Sequence, residues 1–196
     1  MPGSLYLMRE LPPESRDSVA RYVSDFTTSA AGLAGRLLRL AAEDVLVRPG
    51  VVVCDGAGGT SFRGYGGARL PVSGEKGMEM GPHIVPEEYR KQGYGAMVLA
   101  GITQVVLASG SRPYVLGNPA NMGNLLRQGF EPAQPGDLAD ITFDYCRTQC
   151  LLNTPSGPCC NDAVILRGEP RLPVPEINVW PAGEMIEMPI RLAPGQ

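Results

Sequence analysis

A short glycine-containing segment, at the junction of an apolar strand pattern and an apolar helix pattern, most constrains the fold. The strand pattern ends at Pro86, and the loop that follows contains Arg90-x-x-Gly93-x-Gly95. Glycines let a backbone approach a ligand closely, here just where a helix begins. The first amides of a helix have no partner inside the helix, and the helix dipole adds partial positive charge there. The segment therefore predicts a phosphate-binding loop, the alternative being a tight turn that merely requires glycine.

The chain before this loop predicts a strand, two helices and three strands. The first strand pattern covers residues 4–9, and Pro12-Pro13-Glu14 then opens a helix. Val19, Tyr22, Val23 and Phe26 lie on one face of that helix. A second helical pattern ends at Pro49-Gly50. Three strand patterns without an intervening helix indicate an antiparallel meander, and they cover residues 51–54, 62–70 and 78–85.

The chain after the loop predicts a helix, a strand, a further helix and two strands. The helix pattern over 93–108 is apolar on most of its surface, so we expect it to be deeply buried. Residues 113–117 form the next strand pattern, and the helix between it and its predecessor predicts a parallel pair with a right-handed crossover. A helix over 120–128 and a pair of antiparallel strands over 137–145 and 163–166 complete the series.

A second glycine-rich stretch, residues 55–60, follows the strand pattern that ends at Cys54. A glycine loop after a strand is also found in nucleotide-binding proteins, but Ser61 occupies the position of the third glycine of that motif. Another strand pattern follows instead of a helix. A hairpin turn is therefore the favoured interpretation, with nucleotide binding as the alternative.

The Arg90 loop, together with Val85-Pro86 before it and Asn118 and Gly129-Phe130 after it, resembles the acyl-coenzyme A signature of the GNAT (general control related) N-acetyltransferase superfamily. The resemblance implies an α/β fold of the α+β type. Its sheet would be mixed and mostly antiparallel, with a central parallel pair and helices on both faces. We expect this acyltransferase domain to cover residues 1–167, followed by a proline-rich extended tail over 168–196.

The resemblance also implies how the donor, acetyl-coenzyme A, would be held. Loop amides would bind the pyrophosphate with added charge from Arg90 or Lys91, strand backbone groups would pair with the pantetheine arm, and asparagines of the later helix would supply further hydrogen bonds. Asn118 would also be a helix N-cap. The implied coenzyme contacts are Ile84, Val85, Arg90, Lys91, Gln92, Gly93, Tyr94, Gly95, Ala96, Asn118, Asn121 and Asn124.

Glu79 is the candidate general base for an attacking amine. It is the carboxylate inside the apolar strand pattern, where desolvation would raise its pKa. It precedes Arg90 by eleven residues, the interval that separates the catalytic glutamate from this motif in the histone acetyltransferase branch of GNAT. The alternative is an outward-facing carboxylate on an exposed face of the sheet.

His83 is the only histidine of the chain, and it is a second candidate catalytic residue or a structural one. It would share a strand face with Glu79 unless Gly81-Pro82 forms a bulge. A thiol nucleophile formed by Cys54 and His83 is a further alternative, for which the sequence provides no proximity.

The general acid is the missing part of the resemblance. The family often uses a tyrosine about four residues before the Gly-Phe pair, and this chain has Leu125 there. Tyr94, Tyr114 or Tyr145 could take that role, or a water molecule could. The function implied is acyl transfer to a primary amine, on a small molecule or a protein side chain. The alternative is a non-catalytic module that binds acyl-coenzyme A or another protein.

Four of the five cysteines cluster in the loop over 146–160. Four thiolates can bind a structural zinc ion tetrahedrally. The spacing differs from paired C-x2-C motifs, so reduced thiols and redox bridges remain alternatives. The candidate zinc ligands are Cys146, Cys150, Cys159 and Cys160.

The composition limits the partners. A net charge of −3 and a pI near 5.2 give no general electrostatic reason to bind nucleic acid. No apolar run is long enough for a membrane span and the amino terminus has no signal pattern, so we expect a cytoplasmic protein. The tail around Trp180 is too apolar to be solvated, which predicts that it wraps the domain or contacts another subunit of a homo-oligomer.

Overall fold

All strands of the described chain belong to one eight-stranded sheet. The computed structural model describes residues 3–29, 40–55, 59–71, 73–117, 119–134, 136–138, 162–171, 173 and 175–189. The strands are β1 Ser4–Leu7, β2 Gly50–Asp55, β3 Ser61–Arg69, β4 Met78–Ile84, β5 Pro113–Gly117, β6 Phe130–Pro132, β7 Asp162–Leu166 and β8 Ile177–Asn178. The helices are α1 Pro13–Thr28, α2 Ala42–Val47, α3 Tyr94–Ala108 and α4 Pro119–Arg127, with short 3-10 turns at Met8–Glu10 and Glu87–Tyr89.

The strand order is β6-β7-β5-β4-β3-β2-β1-β8. Neighbouring strands are antiparallel except for the central pair β4–β5 and the edge pair β1–β8. Helix α3 connects β4 to β5, as a parallel pair requires. The mixed, mostly antiparallel sheet with a central parallel pair is therefore confirmed, as is the hairpin that joins β2 to β3.

Helices cover both faces of the sheet. The α3 face carries a core in which Val98 and Ile102 pack against Leu5, Val53 and Met80. On the opposite face, which we call the α1 face, a second core is built from α1 and from inward side chains of the strands. The predicted amphipathic face of the first helix is confirmed there. Its core residues are Val19, Val23 and Phe26, with Tyr22 packed against them.

Glycines in β3 let α3 lie close to the sheet. A Cβ atom at Gly66 would be 2.7 Å from Val98 Cγ1, and one at Gly64 would be 2.9 Å from Val98 Cγ2. In the middle of the helix a Cβ at Gly101 would be 2.6 Å from Leu5 Cδ2. Because a larger residue at any of these positions would meet packed atoms, α3 is held close to the centre of the sheet.

The register between β3 and β4 shifts by one residue. Arg69 pairs with Glu79 and Ala68 with Met80, but Gly66 pairs with His83. The extra residue lies at Gly81-Pro82 in β4, so the bulge considered from the sequence is present there. Beyond it, every β4 side chain lies on the face opposite to the one that unbroken alternation would give.

The carboxyl-terminal part of the sheet differs from the prediction. Phe130–Pro132 forms β6, and β7 pairs with both β6 and β5. Of the strand predicted over 137–145, residues 137–138 are a bend and the rest lie outside the described residues. Most of the second predicted helix, before α2, lies outside them too.

The segment after residue 175 packs along the domain. Strand β8 pairs with β1, and Trp180 stacks edge-on against Tyr6 with ring centroids 4.8 Å apart. Ile186 N–H donates to Ser15 Oγ at 3.1 Å, and Glu187 exchanges backbone hydrogen bonds with Thr60 and Phe62. This segment therefore links α1 to the start of β3. Its predicted contact with another subunit stays a prediction.

Candidate functional site

The two central strands separate at their carboxyl ends. The register of β4 with β5 contains two pairs, Met78 with Pro113 and Glu79 with Tyr114. After the second pair, β4 continues to Ile84 beside β3, while β5 continues to Gly117 beside β7. The sheet is thus open between the later residues of these strands, and backbone groups that a neighbouring strand would otherwise bind face that split. Glu79 lies at its apex.

The loop after β4 presents unpaired amides at the start of α3. Arg90 N–H donates to Glu87 O at 3.1 Å and Ala96 N–H to Gly93 O at 3.1 Å. Across the described parts of the chain, no acceptor is recorded for the amides from Lys91 to Gly95. Successive unpaired amides at a helix amino terminus form a site for an anion. The helix thus begins where the sequence predicted, after Gly93, and phosphate binding to these amides stays a prediction.

The two glycines of the loop have different structural roles, one in backbone conformation and one in leaving space. Gly93 caps α3 with φ 94°, a left-handed conformation that glycine adopts without steric strain. Lys91 is also left-handed, with φ 62°. At Gly95 the reason is space: a Cβ would meet nothing nearer than Val85 Cγ2 at 4.0 Å. The chain's own packing therefore does not require glycine at 95, whereas a ligand held against the amides would.

Positive charge lies beside these amides. Arg90 and Lys91 are exposed, and Arg90 Nε donates to Val85 O at 3.3 Å. The guanidinium of Arg63 lies 4.2 Å from the ring centroid of Tyr89, in the turn before the loop. These groups favour a phosphate, although the exposed Glu87 and Glu88 in the same turn weaken the local field.

Helix α4 approaches the first turn of α3. Gln128 is buried, and its Nε2 donates to Ala96 O at 3.4 Å. Asn124 lies one turn earlier on the same side of α4 and is partly exposed, and its contact with coenzyme stays a prediction. Asn118 and the side chain of Asn121 lie outside the described residues, and their contacts with coenzyme stay predictions.

Glu79 belongs to a buried polar network on the α1 face. Its Oε2 accepts from Arg69 Nε at 3.1 Å, and its side chain is 18% exposed. Arg69 also pairs with Glu75, whose side chain is 1% exposed. Burial, the largest effect, raises the pKa of the Glu79 carboxyl above its ordinary value, while the charge of Arg69 acts in the opposite direction. No partner for Glu79 Oε1 is recorded in the described parts of the chain.

His83 lies on the opposite face of the sheet from Glu79. It pairs with Gly66, whose Cβ position points at Val98 of α3. The two catalytic candidates therefore do not share a strand face, because the bulge inverts the alternation between them. Burial lowers the pKa of His83 to about 4, so its imidazole is neutral at physiological pH. Its Nε2 is buried without a partner among the described residues.

The tyrosines considered as general acids are otherwise engaged. Tyr94 donates its hydroxyl hydrogen bond to Asp55 Oδ2 at the end of β2. Tyr114 donates to Glu75 Oε1 at 3.1 Å and accepts from Arg69 Nη2 at 3.2 Å, and burial raises its pKa. Leu125 is buried in the α3-face core. Tyr145 lies outside the described residues.

The cysteine hypotheses have different outcomes. Cys54 packs in the α1-face core, on the other side of the sheet from His83, and burial raises its pKa to about 12. This geometry excludes the thiol nucleophile pair. Cys146, Cys150, Cys159 and Cys160 lie outside the described residues, so zinc binding stays a prediction. In the described parts, no group of three or more His, Cys, Asp or Glu side chains could hold a metal ion.

Sequence reasoning missed four polar side chains of the α1 face. They come from β3 and from the segments before β2 and β4, so no local motif joins them. The available signal was weak: Arg69 ends an apolar glycine-rich strand pattern, where a charge must be paired if buried. The missed residues are Arg48, Tyr65, Arg69 and Glu75.

No helix in the described ranges combines the length and hydropathy needed to cross a membrane. A comparison with protein-family models found no match. A comparison with curated protein sequences found none either.

Comparison with solved structures identifies the fold. N-acetylglutamate synthase from Neisseria gonorrhoeae, complexed with coenzyme A and N-acetyl-glutamate, superposes with a TM-score of 0.57 at 16% identity. The match covers 83% of this chain and 34% of the synthase, so the chain spans about a third of that protein's length. A GNAT-family acetyltransferase from Staphylococcus aureus has a TM-score of 0.52 at 8% identity, covering 83% of this chain and 98% of that one. At such identities the similarity shows a shared fold.

Proposed function

We propose that this chain, which has the GNAT fold, is an N-acyltransferase that moves acetyl or another short acyl group from coenzyme A to a primary amine. The observation that carries the proposal is the run of amides from Lys91 to Gly95 without acceptors, at the start of α3 and beside the split between β4 and β5. A doubly charged pyrophosphate suits such a site. The coenzyme-bound structures that share the fold support the same interpretation.

The residues would hold the donor in two places. The loop amides and the charges of Arg90 and Lys91 would bind the pyrophosphate, and backbone groups of Ile84 and Val85 would pair with the pantetheine arm along the split. Asn124, with Asn118 and Asn121, would add side-chain hydrogen bonds. When bound, coenzyme A supplies an activated thioester that an amine can attack.

Glu79 would prepare the acceptor amine. An amine in water is mostly protonated at neutral pH, and it attacks only after losing that proton. The carboxylate of Glu79, with a raised pKa and an Oε1 without a recorded partner in the described chain, would accept it. Arg69 would hold Oε2 and so orient the other oxygen. The thiolate that leaves would take a proton from water, since Tyr94 and Tyr114 are engaged elsewhere.

The donor site is tested by Gly95→Ala against Gly123→Ala. Both positions have room for a Cβ, and Gly123 lies exposed in α4 with Arg127 Nη1 3.7 Å away as its nearest contact. Each alanine should stabilise its helix by up to about 1 kcal/mol in urea unfolding. Only Gly95→Ala should also weaken coenzyme A binding, by about 10- to 100-fold in calorimetry, because its Cβ displaces the phosphate from charged hydrogen bonds.

The result that would refute the donor site is coenzyme A affinity unchanged by Gly95→Ala, or an unmodified chain that does not bind coenzyme A. A decrease in affinity for Gly123→Ala of the same size would show that the effect is not local.

The second candidate function is a module that binds acyl-coenzyme A without transferring the acyl group. It is favoured by Leu125 at the usual tyrosine position and by the committed hydroxyl groups of Tyr94 and Tyr114. Thiol release from acetyl-coenzyme A separates the two functions. If the chain binds coenzyme A, but no amine among polyamines, amino acids, aminoglycosides and lysine peptides stimulates release, the module is the correct function.

A further inference from the structure

The guanidinium of Arg48, on the α1 face near Glu79, has one recorded hydrogen bond among the described residues. Arg48 precedes β2, and its Nη1 donates to Gly81 O in β4 at 3.4 Å, so the side chain crosses β3 to reach that strand. In the part of the chain that the structure describes, this weak contact is the hydrogen bond recorded for its guanidinium, and no carboxylate lies within ion-pair distance. Arg48 is therefore a cation with donors available for a ligand.

In Arg69, the neighbouring cation, all three guanidinium nitrogens by contrast donate hydrogen bonds. Its Nε binds Glu79, its Nη1 binds Glu75 at 3.1 Å, and its Nη2 binds both Glu75 and Tyr114. The two carboxylates thus neutralise one guanidinium between them and hold it in place. Arg48, which has no carboxylate partner among the described residues, is a cation that a ligand's negative charge can approach.

A buried hydroxyl beside Arg48 also has no partner. Tyr65 is fully buried on the α1 face, and its Oη has no hydrogen bond among the described residues. The ring extends over the paired glycines Gly50 and Gly67, and a Cβ at Gly67 would be 2.6 Å from that oxygen. A hydroxyl buried without a partner is destabilising, and an acceptor atom from a ligand would relieve this. Arg48 lies close enough that its charge acts on the Tyr65 hydroxyl.

Glu79 and the carbonyl that Arg48 contacts are near each other on one strand. Glu79 and Gly81 are two residues apart in β4, which is about 7 Å along a strand. A ligand on this face would therefore meet a carboxylate oxygen without a recorded partner at one end and a guanidinium with free donors at the other. A planar guanidinium binds a carboxylate through two parallel hydrogen bonds.

We infer that the acceptor is an amino acid, whose amine lies at Glu79 and whose carboxylate binds Arg48 with the Tyr65 hydroxyl. This inference rests on the proposed acyl transfer and specifies its substrate class. In the reaction the ammonium group gives one proton to Glu79, and the neutral amine then forms the C–N bond as the thioester C–S bond breaks. The nitrogen releases its second proton, which the leaving thiolate takes up through water. The carboxylate of the amino acid is unchanged.

The test compares free amino acids with their primary amides, which keep the amine and side chain but lose the negative charge. The panel is glycine, alanine, leucine, phenylalanine, glutamate and lysine, assayed by acetyl-coenzyme A-dependent thiol release. The unmodified chain should prefer the best acid over its amide by about 10- to 100-fold in kcat/KM. The amine of an amino-acid amide is less basic, so a larger fraction of it is deprotonated and able to attack at neutral pH. A preference for the acids must therefore come from recognition of the carboxylate.

Three variants assign the effect. Arg48→Gln should remove the preference for acids by raising KM for the acid. Arg48→Lys should keep part of this preference, because lysine keeps the positive charge but cannot form two parallel hydrogen bonds to a carboxylate. Arg9→Gln, which changes an exposed arginine in the 3-10 turn before α1, should behave like the unmodified chain. All variants should bind coenzyme A and unfold at similar urea concentrations.

The outcomes separate this inference from the proposed function. Transfer to acids and amides alike, or an unchanged preference in Arg48→Gln, would overturn the amino-acid site and leave acyl transfer standing. If nothing is acylated, calorimetry with the coenzyme A-loaded protein decides: binding of acids lost in Arg48→Gln would retain the carboxylate site and refute catalysis. Absence of both binding and acylation of amino acids would overturn the inference.

Discussion

Glu79 and Tyr114 are the second of the two residue pairs that join β4 to β5, and the strands separate beyond them. The pair lies on the α1 face. There the Tyr114 hydroxyl binds Glu75 and Arg69, and Arg69 in turn binds the carboxylate of Glu79. The residue proposed to activate the amine is thus adjacent to the point where the sheet opens. The electrostatic environment of the Glu79 carboxylate is set by groups from β3, β5 and the turn before β4.

Tyr114→Phe should destabilise the fold and leave the chemistry largely intact. The change leaves the buried Glu75 Oε1 without the hydroxyl donor at 3.1 Å, which should lower the free energy of unfolding by about 1 to 3 kcal/mol in urea. Tyr6→Phe is the control, since no hydrogen bond of its hydroxyl is recorded in the described residues. If the variant remains folded under assay conditions but kcat falls by orders of magnitude, Tyr114 is instead the general acid.

Glu79→Gln should reduce kcat/KM at neutral pH by about 100- to 10,000-fold, since a general base is lost. The activity of the unmodified chain should fall as pH decreases through the raised pKa of Glu79, because protonation removes the base. In the variant the rise should move to higher pH, toward the pKa of the amine, which then attacks without help. Coenzyme A affinity should not change.

The control for this variant is Glu87→Gln, which removes an exposed carboxylate near the loop. Its pH–rate profile should match that of the unmodified chain. A Glu79→Gln profile with the same acidic limb as the unmodified chain would exclude Glu79 as the base.

His83 should make stability depend on pH. Its folded-state pKa of about 4 lies below the ordinary 6.5, so the unfolded chain binds the proton first as pH falls. Its contribution should be complete above pH 6.5 and decrease toward pH 4 by about 1.4 kcal/mol per unit, about 3 kcal/mol in total.

Urea unfolding of the unmodified chain and His83→Gln across this range isolates the effect. The comparison is needed because Glu79, whose pKa is raised, changes stability in the opposite direction: its contribution is present at low pH and lost as pH rises. Parallel curves for the two proteins would show that His83 titrates normally.

Trp180→Ala should reveal whether the tail folds together with the sheet. The indole is 7% exposed, packs on Tyr6 and donates from Nε1 to Glu184 O at 3.0 Å. Removing it should lower the free energy of unfolding by about 3 to 5 kcal/mol. Val179→Ala, at a residue 85% exposed, should change it by less than about 0.5 kcal/mol. Equal effects would mean that the tail is not part of the cooperative fold.

If the four clustered cysteines bind zinc, rather than remaining reduced or forming redox bridges, about one zinc ion per chain is expected, held by thiolates. Protein purified without chelator should contain it by elemental analysis, and Cys146→Ser with Cys150→Ser should lose it. Cys54→Ser is the control, because its thiol is buried in the α1-face core. Protein free of zinc, yet fully folded, would exclude a structural zinc site.

The sequence by itself determined the backbone of the proposed donor loop and the elements around it. Gly93, Gly95 and the apolar helix after them form a local pattern, and the backbone conformation of such a segment depends mainly on its own residues. The helix between β4 and β5 likewise required a parallel pair. These predictions needed no knowledge of distant contacts.

Only the tertiary structure decided which side chains meet Glu79. The bulge at Gly81-Pro82 moved His83 to the opposite face, because one extra residue inverts the alternation of a strand. Arg48, Arg69 and Tyr65 came to the α1 face from other elements through strand pairing. Pairing joins residues far apart in sequence, and a one-residue change in register reassigns every side chain, so local patterns could not predict this site.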